Sequence, residues 1–313
     1  MMLFILRRVL STVPVLLIVA LIVFAMLRLT PGDPAAALVG NNSNSEDIAR
    51  IRTSLGLDEP VPVQFVRWAS KALRGDLGES YYMKQSVTHL IAQRIGPTLS
   101  LSALTMLITL SIAIPLGILA AWRHGGWLDR SLMSFSVLGF SVPTFVIGYL
   151  LIWAVALHWK LFAVQGYTPI NESFSGWLSH LFLPAITLSI VYLALIARVT
   201  RASVAEALTE DYIRTARSKG ISELRILVRH ALTNAAVPIV TVIGIGIGLL
   251  IGGVVVTETV YAIPGLGQLT VDAVLGRDFP LIQGITLFFS FAYVLINLLV
   301  DLSYVLLDPR IRY

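Results

Sequence analysis

The sequence predicts an all-α integral membrane protein with six transmembrane helices and a polar extracytoplasmic segment after the first of them. Three observations predict it. Of 313 residues, 56% are hydrophobic and 13% charged, with a mean hydropathy of +0.82, which is too apolar for an ordinary soluble domain. Six intervals, 9–27, 95–122, 131–157, 181–197, 231–257 and 279–300, contain no Asp, Glu, Lys, Arg or His. At about 1.5 Å per residue they are long enough, or nearly so, to cross about 30 Å of hydrocarbon. Lysine and arginine, finally, gather at alternate ends of these intervals.

The first span opens on Arg7-Arg8, and its end, LRLTPGDP, lacks the small-residue pattern of a signal-peptide cleavage site, so it is read as a retained helix. Residues 31–94 carry seven basic and seven acidic residues and form the sizeable polar stretch. Within it 46–55 suits a short helix and 63–73 a second, with Phe65, Trp68, Ala69 and Ala72 on one face. Spans two and three are joined by AWRHGGWLDR, where Gly125-Gly126 permits a tight turn and Trp122 and Trp127 fit an interfacial belt. Pro115 and Pro143 predict kinks. The fourth span is short and extends past Arg198 if that side chain snorkels.

Between spans four and five lies EDYIRTARSKGISELRILVRHALTNAAVP, residues 210–238. Residues 212–219 suit a helix, Gly220 a left-handed stop and Ser222 an N-cap for a second helix. On that second helix Leu224, Leu227, Val228 and Ala231 recur on one side and Arg225 and Arg229 on another, the pattern of a docking surface. In the fifth span Gly244, Gly248 and Gly252 recur every four residues, which suits either close helix packing or a path relieved of bulk. Glu258 beyond it reads, by itself, as a plain exposed acid. Asp301 in the last span is expected to pair with Arg198 or Arg201.

With the N-terminus inside, thirteen basic residues fall on the cytoplasmic side, from Arg7 to Arg312, while the short outer loops hold Lys160 and Arg277. Both termini are therefore expected in the cytoplasm. The net charge of +5 reports this topology rather than nucleic-acid binding, because no basic patch is interleaved with aromatics. The chain has no cysteine, and its five histidines are scattered, so no metal set and no catalytic residue is expected. The lysines 71, 84, 160 and 219 follow Ser, Met, Trp and Ser, so none completes a phosphate-cradling Gly-Lys loop. Gly139-Phe140-Ser141 lacks the following glycine of a nucleophile elbow. An ion-coupled secondary transporter is the rival reading, and Asp301 is the only intramembrane acid to support it.

RTARSKG, with EDY before it and RHALTNA after it, resembles the cytoplasmic loop of permease subunits from binding-protein-dependent ABC importers of the dipeptide, oligopeptide and nickel branch. The acidic first position of that loop's general pattern is absent, and Pro238 lies further downstream than usual. PGDP (31–34), GDLG (75–78), TETVYAIPGLGQL, RDFPLIQG and NLLVDLSYVLLDPRIRY extend the resemblance to both ends of the chain. It implies a type I ABC importer permease fold in a multi-pass inner-membrane protein. The implied division is a first helix in 1–30, the outer segment 31–94, a five-helix core 95–307 with its coupling loop at 198–237, and a tail at 308–313.

The implied partners are a homologous second permease, two ATP-binding subunits carrying ATP and Mg, and an extracytoplasmic solute-binding protein that the outer segment could meet. The chain itself would bind no cofactor. The resemblance assigns coupling to Asp211, Tyr212, Arg214, Ala216, Lys219, Gly220, Glu223, Leu224 and Arg225, and the permease interface or path to Gly244, Gly248, Gly252 and Glu258. Arg214 and Arg217 could equally anchor at lipid headgroups. Peptide is the expected cargo, with glutathione or a nickel complex as alternatives.

Overall fold

The computed structural model describes residues 2–29, 53 and 58–307. The expected helix at 46–55, the PGDP string and the 308–313 tail lie outside the described residues, apart from residue 53. Among the described residues no strand is present, only an isolated bridge between Glu79 and Ser86. Hydrocarbon offers no partner to backbone N–H and C=O groups, and helices satisfy them internally.

The helices are α1 (Met2–Leu29), α2 (Val61–Leu73), α3 (Val87–Trp122), α4 (Trp127–Ser141), α5 (Thr144–Leu151), α6 (Phe174–Ala207), α7 (Asp211–Ser218), α8 (Ala236–Val260), α9 (Leu266–Leu275) and α10 (Phe279–Leu307). Of these α1, α3, α6, α8 and α10 are long and apolar enough to cross a membrane, and α4 with α5 make a sixth crossing if the bent pair is one span. The expected third span is therefore not one straight helix. Pro143 lacks an N–H and pushes Val142 to extended dihedrals (φ −96°, ψ 123°), and the two halves meet at 99°. After α5 the chain continues as a π-helical stretch, Ile152–His158. The fourth span runs to 34 residues, Phe174–Ala207, continuing past Arg198 as expected and also beginning seven residues before Leu181.

Two compact units emerge, one from Ile95–Gln268 with Leu295 onward, the other from Ile5–Arg94 with Leu269–Val294. In the first, α6 is the axis. Its Leu181, Leu183, Ala185, Leu188 and Tyr192 are buried with Leu101 and Leu104 of α3, Leu250 and Val254 of α8, and Tyr261. A Cβ on Gly117 would come within 2.8 Å of the Ala197 carbonyl, so glycine lets α3 cross α6 closely. Arg201 donates from Nε and Nη2 to both oxygens of the buried Asp129, each at 2.8 Å, and the Gly125 N–H adds a third bond to that carboxylate. The acid holding Arg201 is thus Asp129 at the α3–α4 turn and not Asp301, which replaces the Arg201 half of the expected pairing. Arg198 lies over the Phe140 ring, 5.2 Å from its centroid.

In the second unit, Phe24 of α1 meets Phe65 edge-on at 5.2 Å and Trp68 at 5.6 Å, which places the two aromatic residues of the expected α2 face against the first helix. Two strings far apart in sequence also join here. Asp278 accepts from the Ser80 hydroxyl, the Tyr82 N–H and, as the N-cap of α10, the Leu281 N–H. Gly284 lies against Val87 and Leu77, with no room for a Cβ. Burial, with the Asp278 charge as a lesser cause, raises the pKa of Tyr81 above its usual value.

Candidate functional site

The polar loop after α6 folds as a small unit with its own core. In α7 the apolar positions Ile213 and Ala216 lie three apart in an otherwise polar helix, and both are buried against Ile226, with Ile221 packed beside them. The helix ends as its sequence predicts. Gly220 takes φ +73°, its N–H bonds the Arg217 carbonyl at 2.9 Å, and the Ile221 N–H reaches back to the Ala216 carbonyl at 3.2 Å. This paired closure satisfies carbonyls the helix end would otherwise leave orphaned. Nothing lies within 4 Å of where a Gly220 Cβ would be, so the dihedral alone demands glycine there.

Ser222 occupies the expected N-cap position, without a hydrogen bond from its side chain. The second helix is not regular as expected. Glu223–Arg225 is α-helical, Ile226–Ala231 is π-helical, and Leu232–Asn234 returns to α before a break at Ala235. The extra residue per turn divides the expected apolar face. Leu227 and Ala231 are buried, joining Ala121, Val204 and Ile239, whereas Leu224 and Val228 are 72% and 54% exposed.

Arg217 donates from Nε to Glu223 Oε1 at 2.8 Å and from Nη2 to Oε2 at 3.3 Å, clamping the two helices across the glycine turn. The clamp lowers the Glu223 pKa below the ordinary carboxylate value and raises that of Arg217. Arg217, expected to touch a motor subunit or a lipid headgroup, is instead committed to Glu223, and sequence reasoning assigned no role to Ile213, Ile221 and Ile226. The three-residue spacing of Ile213 and Ala216 was the signal available.

Asp211 and Arg214, both largely exposed, pair loosely at 3.5 Å. Tyr212 is 37% exposed, and Lys219 and Arg225 are exposed. The loop therefore brings Tyr212, Arg214, Lys219, Gly220, Leu224 and Arg225 to its surface, keeps Ala216 in its core, and uses Glu223 to fix its shape. Its surface thus presents the apolar Leu224 and Val228 among exposed cations. Among the described residues no group of His, Asp or Glu gathers to hold a metal.

Glu258 is fully buried, which removes the exposed-acid alternative. Thr98 Oγ1 donates to its Oε1 at 2.6 Å, and the N–H groups of Gly267 and Gln268 donate to Oε2 at 2.7 and 3.1 Å. The Leu266 N–H in turn donates to Thr98 Oγ1 at 2.8 Å. One carboxyl thus collects the first turn of α9 and a hydroxyl of α3. Gly265 and Gly267 pass so close to it that a Cβ on either would clash. Sequence reasoning missed Thr98, Gly265 and Gly267, because their meeting depends on tertiary contacts. The glycine stripe behaves unevenly. Gly244 abuts Val300 of α10, whereas Gly252 is exposed with nothing within 4 Å, and it is Gly246 and Gly253 that face α6.

Residues 113–313 match the family model for the binding-protein-dependent transport system inner membrane component, and residues 1–102 match that for the N-terminal part of such a membrane component. A protein of Sinorhizobium fredii named as a probable peptide ABC transporter permease is 53% identical over 310 residues, covering 99% of both chains. A glutathione transport system permease of Salmonella paratyphi A is 42% identical over 311 residues, again covering 99% of both. Among solved structures, a chain of the inward-facing MetNI methionine ABC transporter superposes with a TM-score of 0.59 at 18% identity, covering 70% of this chain and 96% of that one. The last likeness shows the fold, the type I ABC importer permease fold expected above.

Proposed function

This chain belongs to the binding-protein-dependent transport system inner membrane component family, and from that premise we propose that it is the permease subunit of an ABC importer for peptides. The observation that carries the cargo is the 53% identity, over essentially the whole chain, to a protein named as a peptide permease. The 42% identity to a glutathione permease favours glutathione as a second cargo, chemically a small peptide as well.

A homologous permease completes the translocation path, with the exposed stripe of Ile245, Leu249, Gly252 and Val256 on α8 turned to it. Gly244 and Gly248 set the approach of helices beside the path, and Glu258 fixes the loop at its outer mouth. Both termini lie in the cytoplasm, an orientation supported by the excess of Lys and Arg on that side. Two ATP-binding subunits, holding ATP and Mg, receive Leu224 and Arg225 in a groove. Their closure pulls on α7 and on Glu223–Arg225 and turns the path from inward-facing to outward-facing, where the binding protein delivers the solute. A loop with its own buried core and a clamped turn moves as one body, which is what transmission of that pull requires.

The test is a mild-detergent pull-down of the tagged chain co-expressed with its candidate partners, followed by peptide-stimulated ATPase assays with glutathione as competitor. The expected outcome is recovery of ATP-binding subunits that are lost with Arg225→Glu while membrane insertion is unchanged. A lone chain that moves solute under an ion gradient would overturn the reading.

A further inference from the structure

Helix α2 carries three stripes rather than two. At about 100° per residue, Phe65, Trp68 and Ala72 share one side, Pro62, Val66, Ala69 and Leu73 a second, and Arg67, Lys71 and Arg74 a third. The first is occupied by Phe24 of α1. The second is apolar yet open, with Val66 62% and Leu73 90% exposed. On the third, Arg67 is held by Glu59 at 2.6 Å, while Lys71 and Arg74 project into the open and pair with no acid among the described residues.

The anchor fixes the level at which this helix sits. Phe24 lies near the outer limit of the membrane-crossing part of α1, Arg7–Met26, about 25 Å of helix from Arg7. Hydrocarbon is about 30 Å thick. A helix held against Phe24 through Phe65 and Trp68 therefore lies where acyl chains give way to headgroups, and tryptophan is enriched at that depth. An apolar stripe flanked by a basic stripe is the composition of a helix lying in that interface.

We infer that α2 is an interfacial helix, its Val66–Leu73 stripe resting on acyl chains and Lys71, with Arg74 at the helix C-terminal cap, binding the phosphate headgroups of anionic lipid. The inference requires only that α1 crosses the membrane, and it holds for either direction of insertion. It is independent of the transport reading.

The absence of native cysteine allows a direct test on the full chain. Val66→Cys and Leu73→Cys, each carrying a bimane label, are placed in nanodiscs of phosphatidylcholine containing a minor share of phosphatidylglycerol. Quenching is read with either lipid brominated, and with aqueous iodide. The expected result is lipid quenching at both positions, weak iodide quenching, and a preference for phosphatidylglycerol of about fivefold or more, since each cation near an anionic surface contributes about that factor. Lys71→Gln with Arg74→Gln, or high salt, should bring the preference towards one. Equal quenching by the two lipids in the native background would overturn the headgroup assignment, as would a preference that survives loss of both cations. Strong iodide quenching without lipid quenching would remove the helix from the interface. Protection from lipid and iodide alike, alone or only once binding protein is added, would mean that the stripe docks protein.

Discussion

Two helix ends in the Ile95–Gln268 unit close in the same way and are held by opposite means. After α7, Gly220 and Ile221 bond back to Arg217 and Ala216; after α8, Ala262 and Ile263 bond back to Thr259 and Glu258. Both turns need a left-handed residue. The first has glycine at φ +73°, the second alanine at φ +47°. Left-handed backbone costs an L-residue with a side chain roughly 1–2 kcal/mol. The α7 turn avoids that cost through residue choice and is otherwise secured by neighbours close in sequence, the Ile213–Ile226 contact and the half-exposed Arg217–Glu223 clamp. The α8 turn bears the strain, and the node at the Glu258 carboxyl, in the last turn of α8, holds α9 to α3 through three donors. Local chemistry shapes the first turn and long-range burial the second.

The largest break should come at Glu258. Glu258→Ala removes the acceptor used by the Thr98 hydroxyl proton and by the Gly267 and Gln268 N–H groups at the start of α9, at about 1–3 kcal/mol for each group left unsatisfied. The expected loss is at least ~3 kcal/mol, read as a fall in the thermal unfolding midpoint and as faster amide exchange across residues 266–269. A change below about 1 kcal/mol would show that the α8 turn does not depend on the node.

Gly220→Val should cost roughly 2 kcal/mol, because a β-branched side chain resists positive φ. The damage should stay within the loop, since no neighbour lies near the new Cβ. Partner recovery and uptake would fall while insertion and global melting stay near normal. Normal uptake with this variant would discard the coupling role.

A reciprocal pair then sharpens the contrast. Gly220→Ala should destabilise by about 1 kcal/mol. Ala262→Gly should stabilise by up to about 1 kcal/mol, the relieved strain being partly offset by the freer unfolded chain. If both substitutions destabilise, the alanine at 262 is not strained in the folded protein.

The same contrast explains what the sequence made legible. Spans appear as charge-free runs and Gly220 as a glycine after a polar helix, because both are local signals. The break at Val142-Pro143 was half legible: the proline announced a kink, but a 99° bend depends on what the two halves pack against. Glu258 could be named from its string but not placed, since its burial depends on Thr98 of α3, 160 residues earlier. Asp129 escaped notice altogether, because an acid near a basic loop reads as solvated until Arg201 is brought against it.

The smallest effect belongs to the Arg217–Glu223 clamp, and its sign with pH follows from its charges. Arg217 lowers the Glu223 pKa below that of an unpaired glutamate, so the clamp's contribution is fully present above the unfolded value and is lost as pH falls through the lowered folded one. The side chains are 45% and 42% exposed, so water and salt screen them, and Glu223→Gln should cost only about 0.5 kcal/mol. Between pH 6 and pH 8 the carboxylate stays ionised, so pull-down of ATP-binding subunits should not change through this pair. What Glu223→Gln should alter is geometry: a bidentate bond across the glycine turn restricts the angle between α7 and Glu223–Arg225, and a single bond restricts it less. The measurement is the distance distribution between spin labels at Tyr212 and Leu224, each changed to Cys. A broader distribution in Glu223→Gln, with nearly unchanged stability, is expected of a clamp that sets the shape of the loop. An unchanged distribution would leave that shape to Ile213, Ile226 and the left-handed glycine alone.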